Sequence, residues 1–158
     1  MMDFLLWIDN LGVSTWIREG QSLLAFPTLL FLHTLGMSFV AGGSSLIAIG
    51  VLGFWPQSSL KSLERLYPAI WLGFSVNLIT GVFILMAWAS KELTNPDFYI
   101  KMTFVVIGLV LLRVMRTKVF GDPSLETAPV SSTAKTLAWA SLVCWFGAIV
   151  AGRLLGYT

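Results

Sequence analysis

Four long apolar stretches constrain the fold of this chain more than any other feature of its sequence. They cover about residues 24–54, 67–89, 97–116 and 134–156. A helix of about 20 predominantly apolar residues crosses the hydrocarbon core of a bilayer, and each stretch reaches that length. The third is the shortest, and it crosses a bilayer only if Lys101 and Arg113 near its ends extend toward the head groups.

The composition also favours membrane insertion. Charged residues make up 11% of the chain and hydrophobic residues 56%, whereas about 25% of an average soluble domain is charged. We therefore predict an all-α fold, in which residues 1–158 form one integral membrane bundle of four transmembrane helices. The net charge is only +2 and the charges are dispersed, which gives no support for a nucleic-acid partner. The single cysteine, Cys144, excludes an internal disulfide.

Two local patterns predict where the later helices begin. Asn95, Pro96 and Asp97 form a helix-start signal, with an N-cap, a proline in the first turn and an early acidic residue. Residues 121–133 are polar, contain two prolines and show no periodicity, so they predict a loop. Ser131 or Ser132 would cap the helix that follows.

The N-terminal segment predicts an amphipathic helix that lies in the membrane interface. It covers residues 3–17, with apolar side chains that would enter the head-group boundary: Phe4, Leu5, Trp7, Ile8, Leu11 and Trp16. Four further tryptophans lie near the ends of the apolar stretches, as in an aromatic belt: Trp55, Trp71, Trp88 and Trp139.

Basic residues near the ends of the apolar stretches predict the orientation, because cytoplasmic loops of membrane proteins are enriched in lysine and arginine. Six lie in the regions that join the first stretch to the second and the third to the fourth: Lys61, Arg65, Arg113, Arg116, Lys118 and Lys135. Four lie toward the opposite side: Arg18, Lys91, Lys101 and Arg153. This excess predicts that both termini lie outside the cytoplasm.

The only histidine, His33, lies inside the first apolar stretch. An ionisable group inside a membrane span needs a partner, and such residues mark functional sites by default. A hydrogen bond to a neighbouring helix would also satisfy a neutral imidazole. A functional and a structural role for His33 therefore both stay open.

One face of the first predicted helix combines this histidine with small residues at three- and four-residue spacing. The face consists of His33, Gly36, Val40, Gly43, Ile47 and Gly50. Close packing against another helix is the first interpretation, since small residues serve that purpose in membrane helices. The second is a shallow groove for a flat cofactor, with Gly36 and Gly43 as contacts. In the second stretch, we expect Asn77 to hydrogen-bond to another helix.

A cofactor at His33 would need a ligand from elsewhere in the fold. Haem b would take His33 on one side of its iron, and the second ligand would come from another helix or chain. Met86 and Met102 are candidates because both are predicted near the same membrane face. Met37 lies one turn from His33 and cannot be the opposite ligand of the same haem. An imidazole–thioether set drawn from His33 and these three methionines would also suit Cu(I).

Lys101 and Arg153 are predicted at a membrane depth similar to that of His33. Arg153 lies near a helix C-terminus, where the helix dipole favours a positive charge. In the simpler interpretation both residues anchor their helices at the interface. In the alternative they neutralise haem propionates or donate a hydrogen bond to a quinone carbonyl.

Three segments carry a resemblance to known proteins: HTLGM in the first stretch, NPDFYIK at the start of the third, and LAWASLVCWFGAIVAGRLLGYT at the end. The chain resembles an uncharacterised family of four-helix bacterial inner-membrane proteins. More distantly, it is similar to the membrane part of copper-resistance D proteins and to cytochrome b-like bundles. The resemblance implies the bacterial inner membrane as the location. It also implies a set of positions for the site: His33, Asn95, Lys101, Gly152, Arg153 and Tyr157.

The expected function is that of a small membrane subunit or anchor in an electron-transfer assembly, binding haem b or a quinone near the outer face through His33. Two alternatives stay open, a protein that transports or handles copper or small solutes and a structural subunit without a cofactor. No Ser–His–Asp arrangement, paired-carboxylate site or phosphate loop is found, which favours a non-catalytic subunit over an enzyme. Because little loop surface is left, we expect a homo-oligomer or a place in a larger membrane complex.

Overall fold

The protein is all-helical over residues 2–20 and 22–157, which the computed structural model describes. Four helical segments are long and apolar enough to cross a membrane, and they cover Phe26–Phe54, Gln57–Ala87, Pro96–Lys118 and Ser132–Leu155. The all-α prediction and the four long segments are thus confirmed. The largest difference is that the second segment begins at Gln57 instead of near residue 67.

Two short helices, α1 (Met2–Asp9) and α2 (Gly12–Glu19), precede the first long segment. They replace the single helix that the sequence predicts over residues 3–17. The chain turns between them because the side-chain amide of Asn10 donates a hydrogen bond to the carbonyl oxygen of Leu6 at 2.8 Å. A local bond of this kind competes with continuation of a helix.

The first long segment is interrupted twice by π-helical turns. Helix α3 (Phe26–Met37) continues through a π-turn at Ser38–Gly42 into helix α4 (Gly43–Ile49), and a second π-turn follows at Gly50–Phe54. Each π-turn rotates the helix face that comes after it. At the end of the segment Gly53 has a φ of +110°, which glycine adopts without steric penalty.

The second long segment begins as a 3₁₀-helix over Gln57–Leu66 and continues as helix α5 (Tyr67–Ala87). The non-helical backbone of Trp88, with φ −136° and ψ 40°, then separates α5 from the short helix α6 (Ala89–Thr94). Neither the 3₁₀-helix nor α6 is predicted from the sequence. Both lie in the polar connections between apolar stretches.

Helix α7 (Pro96–Lys118) begins where the sequence predicts it. The side chain of Asn95 accepts a hydrogen bond from the backbone N–H of Asp97 at 2.9 Å. Pro96 occupies the first turn, where its missing N–H leaves no hydrogen bond unmade. The predicted N-cap is therefore confirmed.

Helix α8 (Ser132–Leu155) is capped by Ser131, whose Oγ accepts a hydrogen bond from the N–H of Ala134 at 3.2 Å. The predicted loop over residues 121–133 is confirmed up to this cap, since turns and irregular backbone occupy the connection between α7 and α8. The side-chain amide of Gln57 donates hydrogen bonds to two carbonyl oxygens of this loop. The loop is thereby fixed to the start of the second long segment.

Different short helices and loops lie at the two ends of the bundle. At one end, which we call the terminal end, α1 and α2 pack against the end of α5 and against α6. There the ring of Phe26, at the start of α3, contacts the ring of Trp88 edge to face at 5.0 Å. The other, which we call the loop end, contains the 3₁₀-helix and the α7–α8 loop. There the hydroxyl of Tyr67 donates a hydrogen bond to the carbonyl oxygen of Leu112 at 3.3 Å.

The long helices pack in pairs around one apolar core. Helix α3 packs against α5, α7 packs against α8, and α4 joins the two pairs by packing against α8. The largest buried side chain, Trp145 of α8, lies against Gly108 of α7. Helices α5 and α7 have little direct contact, so a gap stays open between the two pairs.

A buried carboxylate holds the N-terminal helices against the terminal end. Asp9 accepts hydrogen bonds from the backbone N–H of Ser90 at 3.3 Å and from its hydroxyl. The guanidinium of Arg18 donates to the carbonyl oxygens of Asp9 and Ala87 at 3.2 and 3.1 Å. These bonds tie α1 and α2 to the junction of α5 and α6.

We expect Asp9→Ala to release α1 and α2 from the bundle. The substitution removes charge-assisted hydrogen bonds worth about 1.5–3 kcal/mol and leaves the N–H of Ser90 without its acceptor. Hydrogen exchange should become faster in residues 2–19 and unchanged in α8. Asp3→Ala is the matched control, because Asp3 is exposed on the same helix. Equal protection in the two variants would contradict this role of Asp9.

Candidate functional site

The imidazole of His33 is anchored on helix α5. Its Nδ1 lies 3.1 Å from the carbonyl oxygen of Asn77 and 3.2 Å from Oγ1 of Thr80. A carbonyl oxygen only accepts, and the hydroxyl of Thr80 already donates to the carbonyl oxygen of Val76 at 2.7 Å. The side-chain amide nitrogen of Asn77 lies farther away, 3.4 Å from Nδ1. The two closer oxygen atoms therefore favour a ring proton on Nδ1, and in that neutral tautomer Nε2 carries the free lone pair.

A second hydrogen bond runs back from α5 to the same turn of α3. The side-chain amide of Asn77 donates to the carbonyl oxygen of His33 at 2.8 Å. The expectation that Asn77 hydrogen-bonds to another helix is thus confirmed. Thr80 is not among the residues predicted for the site. It lies three residues after Asn77 on the same face of α5, and this spacing is the signal that could have indicated it.

A cleft of about 190 Å³ lies beside His33, in the gap between α5 and α7. Its polar groups belong to His33, Asn77 and Lys101, and the rest of its wall is apolar. The outer part of the wall consists of Leu78, Val82 and Val106. The rest of the apolar wall consists of Phe74, Gly81, Leu85, Phe98, Met102, Val105 and Leu109. These three outer side chains are about half exposed, so the cleft opens on the side of the bundle.

Lys101 brings a positive charge into this cleft. Its aliphatic chain lies beside Gly152 of α8, where a Cβ would be 3.5 Å from the lysine Cε. Among the residues that the structure describes, no carboxylate lies within 4 Å of its ammonium group. The ammonium donors of Lys101 are thus available to a bound molecule.

Glu92 of helix α6 is an acidic residue that interacts electrostatically with Lys101. Burial raises the pKa of its carboxyl group, and the positive charges of Lys101 and Lys91 oppose part of that rise. Glu92 is not among the residues predicted for the site from the sequence. Glu92 comes near Lys101 because it lies on α6, and this short helix is not predicted from the sequence.

The proposed metal ligands are only partly brought together. Met102 lines the cleft with His33, whereas Met37 and Met86 are not among the residues of its wall. Within residues 2–20 and 22–157, no group of three or more His, Cys, Asp and Glu side chains is close enough to hold a metal ion.

The glycine face of the first long segment is covered by the second. A Cβ on Gly36 would lie 2.7 Å from the carbonyl oxygen of Gly73 and 2.8 Å from the backbone N of Asn77. A Cβ on Gly43 would lie 2.6 Å from Cγ1 of Ile70. The space that the sequence offers to a flat cofactor at Gly36 is therefore occupied by α5, as the packing interpretation expects. Gly43 contacts Ile70 on one side and also lines an apolar groove of about 530 Å³.

Arg153 and Tyr157 interact with each other at the terminal end. The guanidinium of Arg153 donates a hydrogen bond to the hydroxyl of Tyr157 at 2.7 Å and lies 4.9 Å from the centre of its ring. Both side chains are exposed, and neither lines the cleft. Of the two basic residues expected near His33, the structure brings Lys101 to the cleft and places Arg153 outside its wall.

Comparisons with protein families, with characterised proteins and with solved structures give no match. The fold and the cleft define the class of this molecule: an all-helical protein with four segments of membrane-spanning length and a lateral polar site. Its function must be inferred from the chemistry of its own side chains.

Proposed function

We propose that this protein is a bilayer-embedded, non-catalytic subunit of an electron-transfer assembly, and that its cleft binds the head group of a quinone. Membrane insertion is supported by the exposed apolar surface of the bundle. Large apolar side chains are exposed on all four long segments, among them Phe31, Leu72, Val110 and Phe146, which are 56–71% exposed. Apolar surface of this extent favours lipid or protein contact over water.

The N-terminal helices fit a place in the membrane interface. Phe4, Trp7 and Trp16 are at least half exposed, while α1 and α2 are held to the terminal end through Asp9. Aromatic side chains at that level prefer the head-group region. We propose that α1 and α2 lie along the outer surface of the bacterial inner membrane.

The orientation is tested by reporter fusions. The six basic residues at the loop end favour a cytoplasmic location for that end, and this orientation would leave both termini outside. Fusions after Leu60 and Gly121 should give cytoplasmic reporter activity, and a fusion after Thr94 should give periplasmic activity. The reverse pattern would overturn the orientation without affecting the bundle.

The cleft favours a quinone head group over haem b because of its size. Pockets for drug-sized ligands typically measure about 300–1,000 Å³, and this cleft has about 190 Å³. A haem would also need the space at Gly36, which α5 occupies. A single substituted ring requires less room, and its isoprenoid tail would leave through the lateral opening between α5 and α7.

Charge favours a quinone over Cu(I). The ammonium group of Lys101 shares the cleft with the imidazole of His33, and a positive charge repels a metal cation at short range. The same group is a suitable donor for a carbonyl oxygen. Lys101 would hold a quinone carbonyl, and Nε2 of His33 would accept a hydrogen bond from a quinol hydroxyl. A bound quinone would supply the capacity to carry electrons and protons.

The observation that carries this proposal is that His33 and Lys101 line one cleft that opens to the side. Over the described residues, Nε2 of His33 has no hydrogen-bond partner and the ammonium of Lys101 has no carboxylate within 4 Å. Protein purified from its native membranes in mild detergent should contain quinone, measured by solvent extraction and chromatography. Lys101→Met should lower the quinone content roughly tenfold, the effect of losing one charge-assisted hydrogen bond. Lys91→Met removes an exposed lysine at the same end and should leave the content unchanged.

The structural interpretation of His33 predicts a different result. His33→Ala would then lower the stability of the α3–α5 contact, and the purified protein would contain no quinone in any variant. Absence of quinone from the wild-type protein and from any chain that copurifies with it would overturn the proposal. A monodisperse monomer without a copurifying chain would contradict its place in a larger assembly.

A further inference from the structure

A second polar cavity lies at the loop end, and it shares no lining residue with the cleft beside His33. It is an open surface pocket of about 600 Å³, bordered by the 3₁₀-helix, the start of α5, the end of α7 and the α7–α8 loop. Three basic side chains line it, Lys61, Arg65 and Arg116, together with the hydroxyls of Ser58, Ser59 and Ser62. Basic and hydroxyl groups together suit an anionic, oxygen-rich ligand.

The two carboxylates of this cavity already have partners. Glu64 lies 3.8 Å from the guanidinium of Arg116, and Glu126 accepts a hydrogen bond from the backbone N–H of Lys61 at 3.4 Å. Over the described part of the chain, neither the ammonium of Lys61 nor the guanidinium of Arg65 has a carboxylate within 4 Å. The cavity therefore has one excess positive charge and two basic groups ready to receive an anion.

An apolar groove of about 530 Å³ is lined by other residues of the same turn at the start of α5. Arg65 and Pro68 line the cavity, while Leu66, Ala69 and Ile70 line the groove. The opposite wall of the groove belongs to the π-turn at residues 38–42 and to α4. A molecule with a charged head and an apolar chain would contact both sites at once.

The depth of the cavity agrees with such a molecule. Trp55 precedes the 3₁₀-helix and Trp71 lies one turn into α5, and both are partly exposed at the loop end. Tryptophan concentrates at the membrane–water boundary. Basic pockets between helices at this level recognise anionic lipid head groups.

We propose that the cavity binds the phosphate of an anionic phospholipid, and that one acyl chain of the lipid lies in the adjoining groove. Lys61 and Arg65 contact the phosphate, and the apolar wall of α4 and α5 contacts the chain. The site depends on insertion in a bilayer and is independent of quinone binding. A free phosphate ion is also an anion, but it has no apolar chain that could occupy the groove.

Native mass spectrometry of the detergent-purified chain with added phosphatidylglycerol tests the charged part of the site. The double variant Lys61→Gln/Arg65→Gln should retain the lipid roughly thirtyfold less well, since each basic group near a membrane surface contributes roughly a fivefold gain. The matched control is Arg113→Gln/Lys118→Gln, which removes two exposed basic residues of the same end outside the cavity. An equal loss in the control would overturn the site, because binding would then follow net charge alone.

A second variant tests the groove and separates a lipid from a free anion. A Cβ on Gly42 would meet no atom within 4 Å, so Gly42→Leu fills the groove without disturbing the core. It should weaken retention of phosphatidylglycerol and leave binding of inorganic phosphate unchanged. Retained lipid in Gly42→Leu, or inorganic phosphate bound as tightly as the lipid, would overturn the proposal. Unchanged unfolding temperatures in all variants confirm that the fold is kept.

Discussion

Gly36→Leu is expected to separate the first two long helices and to lower the free energy of unfolding by at least about 3 kcal/mol, the upper range for overpacking. The reason is that its Cβ alone would lie 2.7 Å from a backbone oxygen of Gly73 and 2.8 Å from the backbone N of Asn77. Backbone atoms cannot move aside as a flexible side chain does. The hydrogen bonds between His33 and α5 would be lost together with the helix contact.

Thermal unfolding in detergent, followed by circular dichroism, measures this effect. Gly42→Ala is the matched control, because a Cβ at that position of the same segment would meet open space. Replacing glycine by alanine there should leave the unfolding temperature unchanged or slightly raised. A Gly36→Leu protein as stable as this control would show that α3 and α5 do not pack as described.

Trp145→Ala is expected to destabilise the second helix pair by about 3–5 kcal/mol, the usual range for removing a buried tryptophan. Trp145 is 1% exposed, and its ring lies against Gly108, where a Cβ would be 3.0 Å from two ring carbons. In a bilayer, helices associate mainly through such close packing. The loss would loosen α7, which carries Lys101 into the cleft.

Trp145→Phe serves as the control for this prediction. The indole N–H of Trp145 has no hydrogen-bond partner among the described residues, so its removal leaves no acceptor unsatisfied. Phenylalanine keeps most of the ring contact and should lose far less stability than alanine. Equal losses in the two variants would indicate that the ring contact with Gly108 does not hold α7 and α8 together.

The sequence predicts the long helices well because their signals are local. Apolar length defines the four segments, and Asn95 with Pro96 defines the start of α7. The break between α1 and α2 is less visible, since it depends on a hydrogen bond from the side chain of Asn10. No local sequence pattern indicates the π-turns. The turn at Ser38–Gly42 rotates the helix between His33 and Gly50, so the residues that the sequence predicts on one continuous face do not stay in line.

The cleft lies beyond what one sequence can predict. The spacing of His33 and Gly36 is compatible both with a cofactor groove and with helix packing, and only the position of α5 distinguishes them. Lys101 reaches the cleft because α5 and α7 are kept apart, which depends on the pairing of all four helices. Arg153 looks equivalent to Lys101 in sequence, yet it interacts with Tyr157 instead.

A photoreactive quinone tests the proposed function most directly. Native membranes that contain the protein would be illuminated with an azido-quinone, and the labelled peptides would be identified by mass spectrometry. We expect labelling within residues 74–85 and 98–109, which line the cleft, and its loss in the presence of excess unlabelled quinone. Labelling that is absent from these residues, or that excess quinone does not suppress, would contradict a quinone site at His33 and Lys101.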